Sequence, residues 1–242
     1  MLQRTPSLTD QAKSYIKERI LNDGFENGRI PSETELADEL QVSRTTIRDA
    51  LSRLENEGAI FRKQGAGTFV NKPGLQIKSR LEEIWSYEDV IRAHDYEPST
   101  QILDLHTEPA GDEVAASLEI SPEDEVLVVK KLFLADGQPV ILAHNRISTE
   151  LFEKPYRAQD FRTPVYQFLE GNGRNRLAYY LSEIIPIIAE PDLAETLHIQ
   201  PNTALLSFSE IGYDADNKPI IKSTSCFRDD LLRLRLIRRQ VM

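Results

Sequence analysis

The sequence predicts an α+β protein in two parts, a small helical N-terminal domain closed by a hairpin and a larger antiparallel sheet with flanking helices. Three observations carry this. Between Pro31 and Val70 two N-capped helical segments run into a hairpin with a glycine-rich, basic tip. Beyond residue 79 a helix, a proline-marked turn and a long hairpin occur twice. Charge divides between the parts, with 12 Lys+Arg against 11 Asp+Glu in residues 1 to 78 and 17 against 28 in residues 79 to 242, a net of −10 over 242 residues. An acidic C-terminal part is repelled by nucleic acid and has another task.

The first element opens at Ser32, whose hydroxyl can accept from the backbone of Glu35 while the Glu35 side chain returns to Ser32, a capping box. Leu36, Ala37 and Leu40 then lie on one helical stripe, and Gln41-Val42-Ser43 supplies a turn and a second N-cap. Along the second helix Ile47, Ala50, Leu51 and Leu54 form the inward face, while Thr45, Arg48 and Ser52 project outward and Arg44 sits on the first turn. Gly58 is the expected C-cap. Ile60-Phe61-Arg62 and Thr68-Phe69-Val70 read as short strands around Lys63-Gln64-Gly65-Ala66-Gly67.

Two helices joined by a tight turn, with a basic wing behind them, make a winged helix-turn-helix, whose second helix enters the major groove of DNA. Arg44, Thr45, Thr46 and Arg48 occupy the positions that meet base edges. Arg62 and Lys63 supply charge to the wing, and Gly65 and Gly67 let its tip approach the backbone without side-chain obstruction.

This segment resembles the DNA-binding domain of the GntR family of bacterial transcription regulators, in which P-S-E, S-R-T-T-[IV]-R and R-x-G-x-G-T-F-V recur. They stand here as Pro31-Ser32-Glu33, Ser43-Arg44-Thr45-Thr46-Ile47-Arg48 and Gly65-Ala66-Gly67-Thr68-Phe69-Val70, the last preceded by Lys63 and Gln64. The resemblance spans nearly all of residues 7 to 70. It implies contact with double-stranded DNA through Ser32, Glu33, Arg44, Thr45, Thr46, Arg48 and Gly67. The acidic Glu33 is expected to orient Arg44 or Arg48 rather than face a phosphate.

Asn71-Lys72-Pro73-Gly74 is a turn-rich junction, which sets the expected domains at residues 1–74 and 80–242 with a linker over 75–79. In the second domain Leu118-Glu119-Ile120-Ser121-Pro122 and Val126-Leu127-Val128-Val129 correspond to Leu197-His198-Ile199-Gln200-Pro201 and Leu205-Leu206-Ser207-Phe208, at an offset of 79. The turns Asp136-Gly137-Gln138-Pro139 and Asp216-Asn217-Lys218-Pro219 follow at 80, so the second hairpin is one residue longer. Leu232-Arg233-Leu234-Arg235-Leu236 alternates strictly and is expected as a final strand.

This part resembles the UTRA effector-binding domain of the HutC subfamily within GntR, with a fold like that of chorismate lyase, over about residues 79 to 240. The resemblance implies a dimer that binds a small anionic metabolite, such as a sugar phosphate or a carboxylate, near the helix start at Ser86 and Tyr87. Members that take sugar phosphates carry an R-x-R pair and two glutamates at positions that are here Lys131 with Phe133, Ala143 and Ile221. That departure favours a smaller or more apolar anion. The side chains expected around it are Ser86, Tyr87, Lys131, Phe133, His144, Arg146, Tyr166, Glu183, Lys222 and Thr224.

The expected function is therefore a cytoplasmic repressor that binds a palindromic operator as a homodimer and responds to a small anionic effector. No apolar run of roughly 18 residues is present to span a membrane. The single cysteine, Cys226, excludes an internal disulfide and is expected as a buried thiol. The four histidines lack ligand spacing, so no metal and no cofactor is expected. A constitutive DNA binder with a degenerate pocket competes with this reading, and so, more weakly, does a chorismate-lyase-like enzyme, for which no nucleophile–base pair is evident.

Overall fold

The computed structural model describes residues 6–76, 84–172 and 176–235. They fall into two compact units, one within residues 1–78 together with Arg235 and the other within 79–234. The expected linker lies mostly outside the described residues.

In the first unit Ser7 caps helix α1 (Leu8–Leu21), accepting from the Asp10 amide at 3.2 Å. A two-residue strand β1 (Arg29–Ile30) leads to α2 (Glu33–Leu40), which opens on the expected capping box. Ser32 Oγ accepts from the Glu35 amide at 3.3 Å, and Glu35 Oε2 accepts from the Ser32 amide at 2.7 Å. Gln41, at φ 53°, ends α2 in the left-handed conformation, and Ser43 then caps α3 (Arg44–Asn56) by accepting from the Thr46 amide at 3.0 Å. Two residues past α3, Gly58 takes φ 71°, and its amide and that of Ala59 donate to the carbonyls of Glu55 and Leu54. Strands β2 (Ile60–Lys63) and β3 (Gly67–Val70) form the wing hairpin in a sheet of order β1-β3-β2. Ile47, Ala50, Leu51 and Leu54 are buried together with Ile16, Ile20 and Leu36, so the outward face of α3 is fixed by a dry inner one. Each such side chain contributes roughly 1.5–3 kcal/mol to that hold.

The second unit is the repeat made visible. Its first half runs α4 (Tyr87–Ala93), β4 (Pro98–Pro109), α5 (Gly111–Leu118), β5 (Glu125–Ala135) and β6 (Gln138–Ser148). The second half runs α6 (Val165–Asn172), β7 (Tyr179–Ile188), α7 (Pro191–Leu197), β8 (Ala204–Tyr213) and β9 (Pro219–Phe227). The strands join in one antiparallel sheet of order β4-β5-β6-β9-β8-β7, the second half retracing the first in reverse. His144 and Thr224, equivalent by the 80-residue offset, face each other across β6 and β9, so the pseudo-dyad passes between them. The helices before the hairpins end alike, with Glu119 at φ 56° and His198 at φ 53°. The first hairpin turns on Asp136 (φ 50°) and Gly137 (φ 79°), the pair of positive values a two-residue I′ turn needs. The longer second turn is held by Asp214, whose Oδ1 accepts from the amides of Asp216 and Lys218.

Side chains alternate across this sheet. One face carries α4 and α6, with Val90 and Ile91 packed on Phe133, Ile141 and Phe227, and Val165 and Leu169 on Ile147 and Ile221. On the other lies α7, with Ala194 and Leu197 against Leu132, Leu134, Leu205 and Cys226, and α5 packs on Val126. Cys226 is buried as expected.

The strand expected over 232–236 is not there: residues 232–235 have no regular structure, and Leu236 lies outside the described residues. After β9, Arg228 donates to the carbonyls of Pro139 at 2.8 Å and Leu197 at 3.2 Å, and the chain turns, the Leu232 amide reaching the Arg228 carbonyl. Leu232 is buried with Val90 and Phe227 while Arg233 is exposed. The alternation thus reports one-sided burial of a turn-rich tail, without a ladder.

Candidate functional sites

In the first unit the outer surface of α3 carries Arg44, Thr45 and Arg48, all exposed. Thr46 turns back, its Oγ1 2.8 Å from Ser43 Oγ, so it stabilises the helix start while Arg44 and Thr45 remain outward. Glu33, on the first turn of α2, meets Arg48 through Nε at 3.1 Å and Nη2 at 2.8 Å. The hydrogen bonds from Arg48 hold the Glu33 carboxyl below the usual carboxylate range. Of the two arginines Glu33 was expected to orient, the structure therefore pairs it with Arg48. Ser32 is committed to its cap.

The wing differs in one respect from expectation. Arg62 is drawn onto α3, its Nε 3.3 Å from Glu55 Oε2 and its Nη2 donating to Ser52 Oγ at 3.3 Å. Lys63 is exposed at the tip, where Gly65 takes φ 73° and Gly67 φ 116°. A Cβ on Gly67 would stand 3.5 Å from Nε of Arg29, so the Arg29 guanidinium lies along the bare side of the tip. The sequence reading missed Arg29, because its strand is two residues long and pairs only in three dimensions.

In the second unit a cavity of about 430 Å³ opens between the sheet and helices α4 and α6. Ser86, Tyr87, Lys131, Phe133 and Tyr166 all line it. Tyr87 and Tyr166 are equivalent under the 79-residue offset, one from each half. Ser86 is buried, and its Oγ accepts from the Asp89 amide at 3.0 Å, capping α4. The Tyr87 ring stands edge-on to Phe133 at 4.9 Å and to Phe227 at 5.5 Å. Burial pushes its phenol above the usual range, as it does that of Tyr180.

Lys131 is the unusual residue, an ammonium group only 1% exposed. Its Nζ donates to the Thr163 carbonyl at 2.9 Å and lies 5.1 Å from the Phe133 ring centroid. Burial pushes it down to about 8, against the opposing pull of Glu88. A cation held out of water in a cavity is poised to gain from an anion that brings its own charge.

The other five expected residues do not reach this cavity. On β6, Ala143 and Asn145 line it, so His144 and Arg146 point to the opposite face. On β9 Ser223 lines it, which sends Lys222 and Thr224 away, and on β7 Tyr180 and Ser182 line it, which sends Glu183 away. The register agrees, with His144 opposite Lys130 and Thr224, and Thr224 opposite Ser209, which faces Glu183. Lys222 meets Glu113 at 2.6 Å and Arg146 stands 3.5 Å from Glu108. Adjacent strand residues were grouped as one cleft, and the period of two divides them. Among the lining residues missed are Glu88, Glu210, Ser182 and Asn145; Glu210 follows from applying the 79-residue offset to Lys131.

Among the described residues no helix is long and apolar enough to cross a membrane, and no cluster of His, Cys, Asp and Glu could hold a metal.

Comparison with known proteins bears on both units. Residues 8–70 match the model of bacterial regulatory proteins of the gntR family, and residues 93–233 match that of the UTRA domain. The chain is 26% identical over 223 residues to the HTH-type transcriptional repressor NagR of Bacillus subtilis, covering 92% of this chain and 89% of that protein. It is 30% identical over 203 residues to a histidine utilization repressor of Pseudomonas putida, covering 84% and 76%. In fold it is similar to the possible transcriptional regulator YydK from Bacillus subtilis, with a TM-score of 0.76 at 18% identity over 97% of this chain and all of that one.

Proposed function

The chain belongs to the GntR family of bacterial regulatory proteins, in its HutC-type branch with a UTRA domain, and from that premise we propose that it represses transcription as a homodimer on a palindromic operator and is switched by a small anionic metabolite held in the sheet cavity. It is a DNA-binding transcription regulator, not an enzyme. The observation that carries the effector half of the proposal is the buried Lys131 in an aromatic-walled cavity of ligand size. A functionless pocket would gain by losing that charge, since an apolar side chain of similar volume avoids the desolvation cost. Its presence in the cavity favours a switched regulator over a constitutive one.

The outward Arg44 and Thr45, with Arg48 braced by Glu33, support base readout by α3, and Lys63 with Arg29 beside the Gly67 tip supports a backbone contact by the wing. Arg62, engaged by Glu55 and Ser52, is assigned a bracing role. A regulator with these parts works in the cytoplasm, where its operator is.

The homodimer is supported by β7. This edge strand leaves apolar side chains bare on both faces, with Leu181 61% exposed, Ile185 41% and Ile184 48%. Edge strands in soluble proteins are normally shielded, so β7 is assigned to contact with a second copy. Two winged helices related by a dyad read half-sites about one helical turn apart. Two experiments test this. Selection from random DNA is expected to return an inverted repeat, and a sequence without a dyad would contradict the dimeric reading. In sedimentation, Leu181→Lys with Ile185→Lys is expected to convert dimer to monomer; an unchanged dimer would exclude β7.

A further inference from the structure

The cavity has a second pole. The position equivalent to Lys131 in the other half of the repeat is Glu210, which also lines the cavity. Lys131 pairs with Ala143 across its hairpin, and Glu210 pairs with Ser223, the equivalent of Ala143, across the other. The two charged residues are therefore related by the pseudo-dyad, on β5 and β8 with β6 and β9 between them. Three strand spacings put their backbones roughly 14 Å apart, and both side chains project from the same face into one space. Glu210 has no cationic partner among the described residues, its polar contact being the Ser182 hydroxyl, which donates to Oε1 at 2.5 Å. Burial pushes its carboxyl above the usual range, which an incoming cation would reverse.

A third group restricts what Lys131 can receive. Glu88 also lines the cavity, close enough to oppose the loss of charge on Lys131. Its Oε1 accepts from Thr100 Oγ1 at 3.0 Å, while its buried Oε2 has no hydrogen-bond partner among the described residues. A dianion against Lys131 would meet this carboxylate as well. A monoanion is compatible with it, and a donor on the ligand would satisfy the orphaned oxygen.

We propose that the cavity takes an amphoteric ligand, a small molecule with a carboxylate at one end, received by Lys131, and an amine or amidine at the other, received by Glu210 and Ser182. The aromatic walls, Tyr87, Phe133 and Tyr166 among them, suit an apolar body between the charged ends. This rests on the effector-switch reading and narrows its ligand from anions in general to amine-bearing monoanions. Opposite charges at equivalent positions also orient the ligand, since reversing it would set like charges together.

The test uses the full chain and matched probes: 4-aminobutanoate, 5-aminopentanoate, 6-aminohexanoate and 4-(aminomethyl)benzoate, each beside the same acid with the amino group replaced by hydrogen, followed by thermal shift and calorimetry. At least one amine-bearing probe is expected to bind about tenfold or more tightly than its partner, because only the former brings the half-buried Glu210 a cationic partner. Glu210→Gln is expected to cut that preference to below about threefold. Ser182→Ala gives a milder version of the same effect should Glu210→Gln impair folding. Plain acids that bind as tightly as their amino partners, or a preference that survives Glu210→Gln, would overturn the inference and leave the effector switch standing. Absence of binding by every amine-bearing probe would also overturn it, and operator binding by the same preparation reports separately on the regulator.

Discussion

Replacing Arg44 by alanine is expected to weaken binding by about 5- to 150-fold for each half-site, the equivalent of the roughly 1–3 kcal/mol carried by one good bidentate arginine–guanine contact. Arg44 stands at the first residue of α3, exposed and facing out from a helix whose inner side is locked by Ile47, Leu51 and Leu54. The loss should fall at one base position in each half-site, which competition with singly substituted operators would reveal. Lys63→Ala should differ in kind, weakening all sequences alike and lowering the salt dependence of binding by about one phosphate contact. An Arg44→Ala loss spread evenly over every DNA sequence would assign Arg44 to the backbone instead. Arg48 is a harder test, because Glu33→Gln frees it as well as removing a charge.

The second large effect is at Lys131. Lys131→Met keeps all but one atom of the side chain's length and removes the charge of a residue that is 1% exposed, so the unliganded protein is expected to melt at the same temperature or higher. The lost hydrogen bond to the Thr163 carbonyl, worth about 1.5–3 kcal/mol as a charged donor, opposes the relief of desolvation. Binding of any carboxylate effector should fall by at least about tenfold, the 1.4 kcal/mol expected when a charge-assisted hydrogen bond is removed.

A pH dependence accompanies this. Lys131 sits near 8 in the folded protein, below its ordinary 10.5, so it is charged and ready for an anion below about pH 8. Between there and 10.5 the unfolded chain holds the proton more firmly, and the free protein gains stability as pH rises while anion binding weakens. The wild-type affinity should thus decline above pH 8, and the methionine variant should show no such decline. Equal affinity for an anion in both proteins would remove Lys131 from the binding site.

The DNA-binding unit was largely legible because its signals are local. A capping box spans four residues, a second N-cap, Ser43, follows eleven residues after the first, Ser32, and both appear where expected. The partners of Arg62 escaped notice for the complementary reason, since Glu55 and Ser52 reach it only once the hairpin folds onto α3. In the second unit the internal repeat disclosed the hairpins, and the 79-residue offset held the clue to the cavity's symmetry. The side on which each strand residue falls was lost by grouping neighbours such as His144 and Arg146 with Lys131, although an alternating pattern forbids it. Strands β4 and β7 gave no sequence expectation. β7 mixes exposed isoleucines on both faces, a pattern that matches neither a buried nor a half-buried strand. The tail at 232–235 shows the converse, alternation without pairing.

The central claim is that the cavity and the operator are energetically coupled, and reciprocally so. The most direct measurement is the Kd of the wild-type protein for its selected operator, by fluorescence anisotropy, with and without a saturating amount of the probe that most raises its melting temperature. A shift of about 5- to 150-fold is expected, with an equal shift in the probe's affinity when operator is bound, and its disappearance in Lys131→Met. A probe that fills the cavity, as shown by its loss of binding in that variant, yet leaves operator affinity unchanged would contradict it.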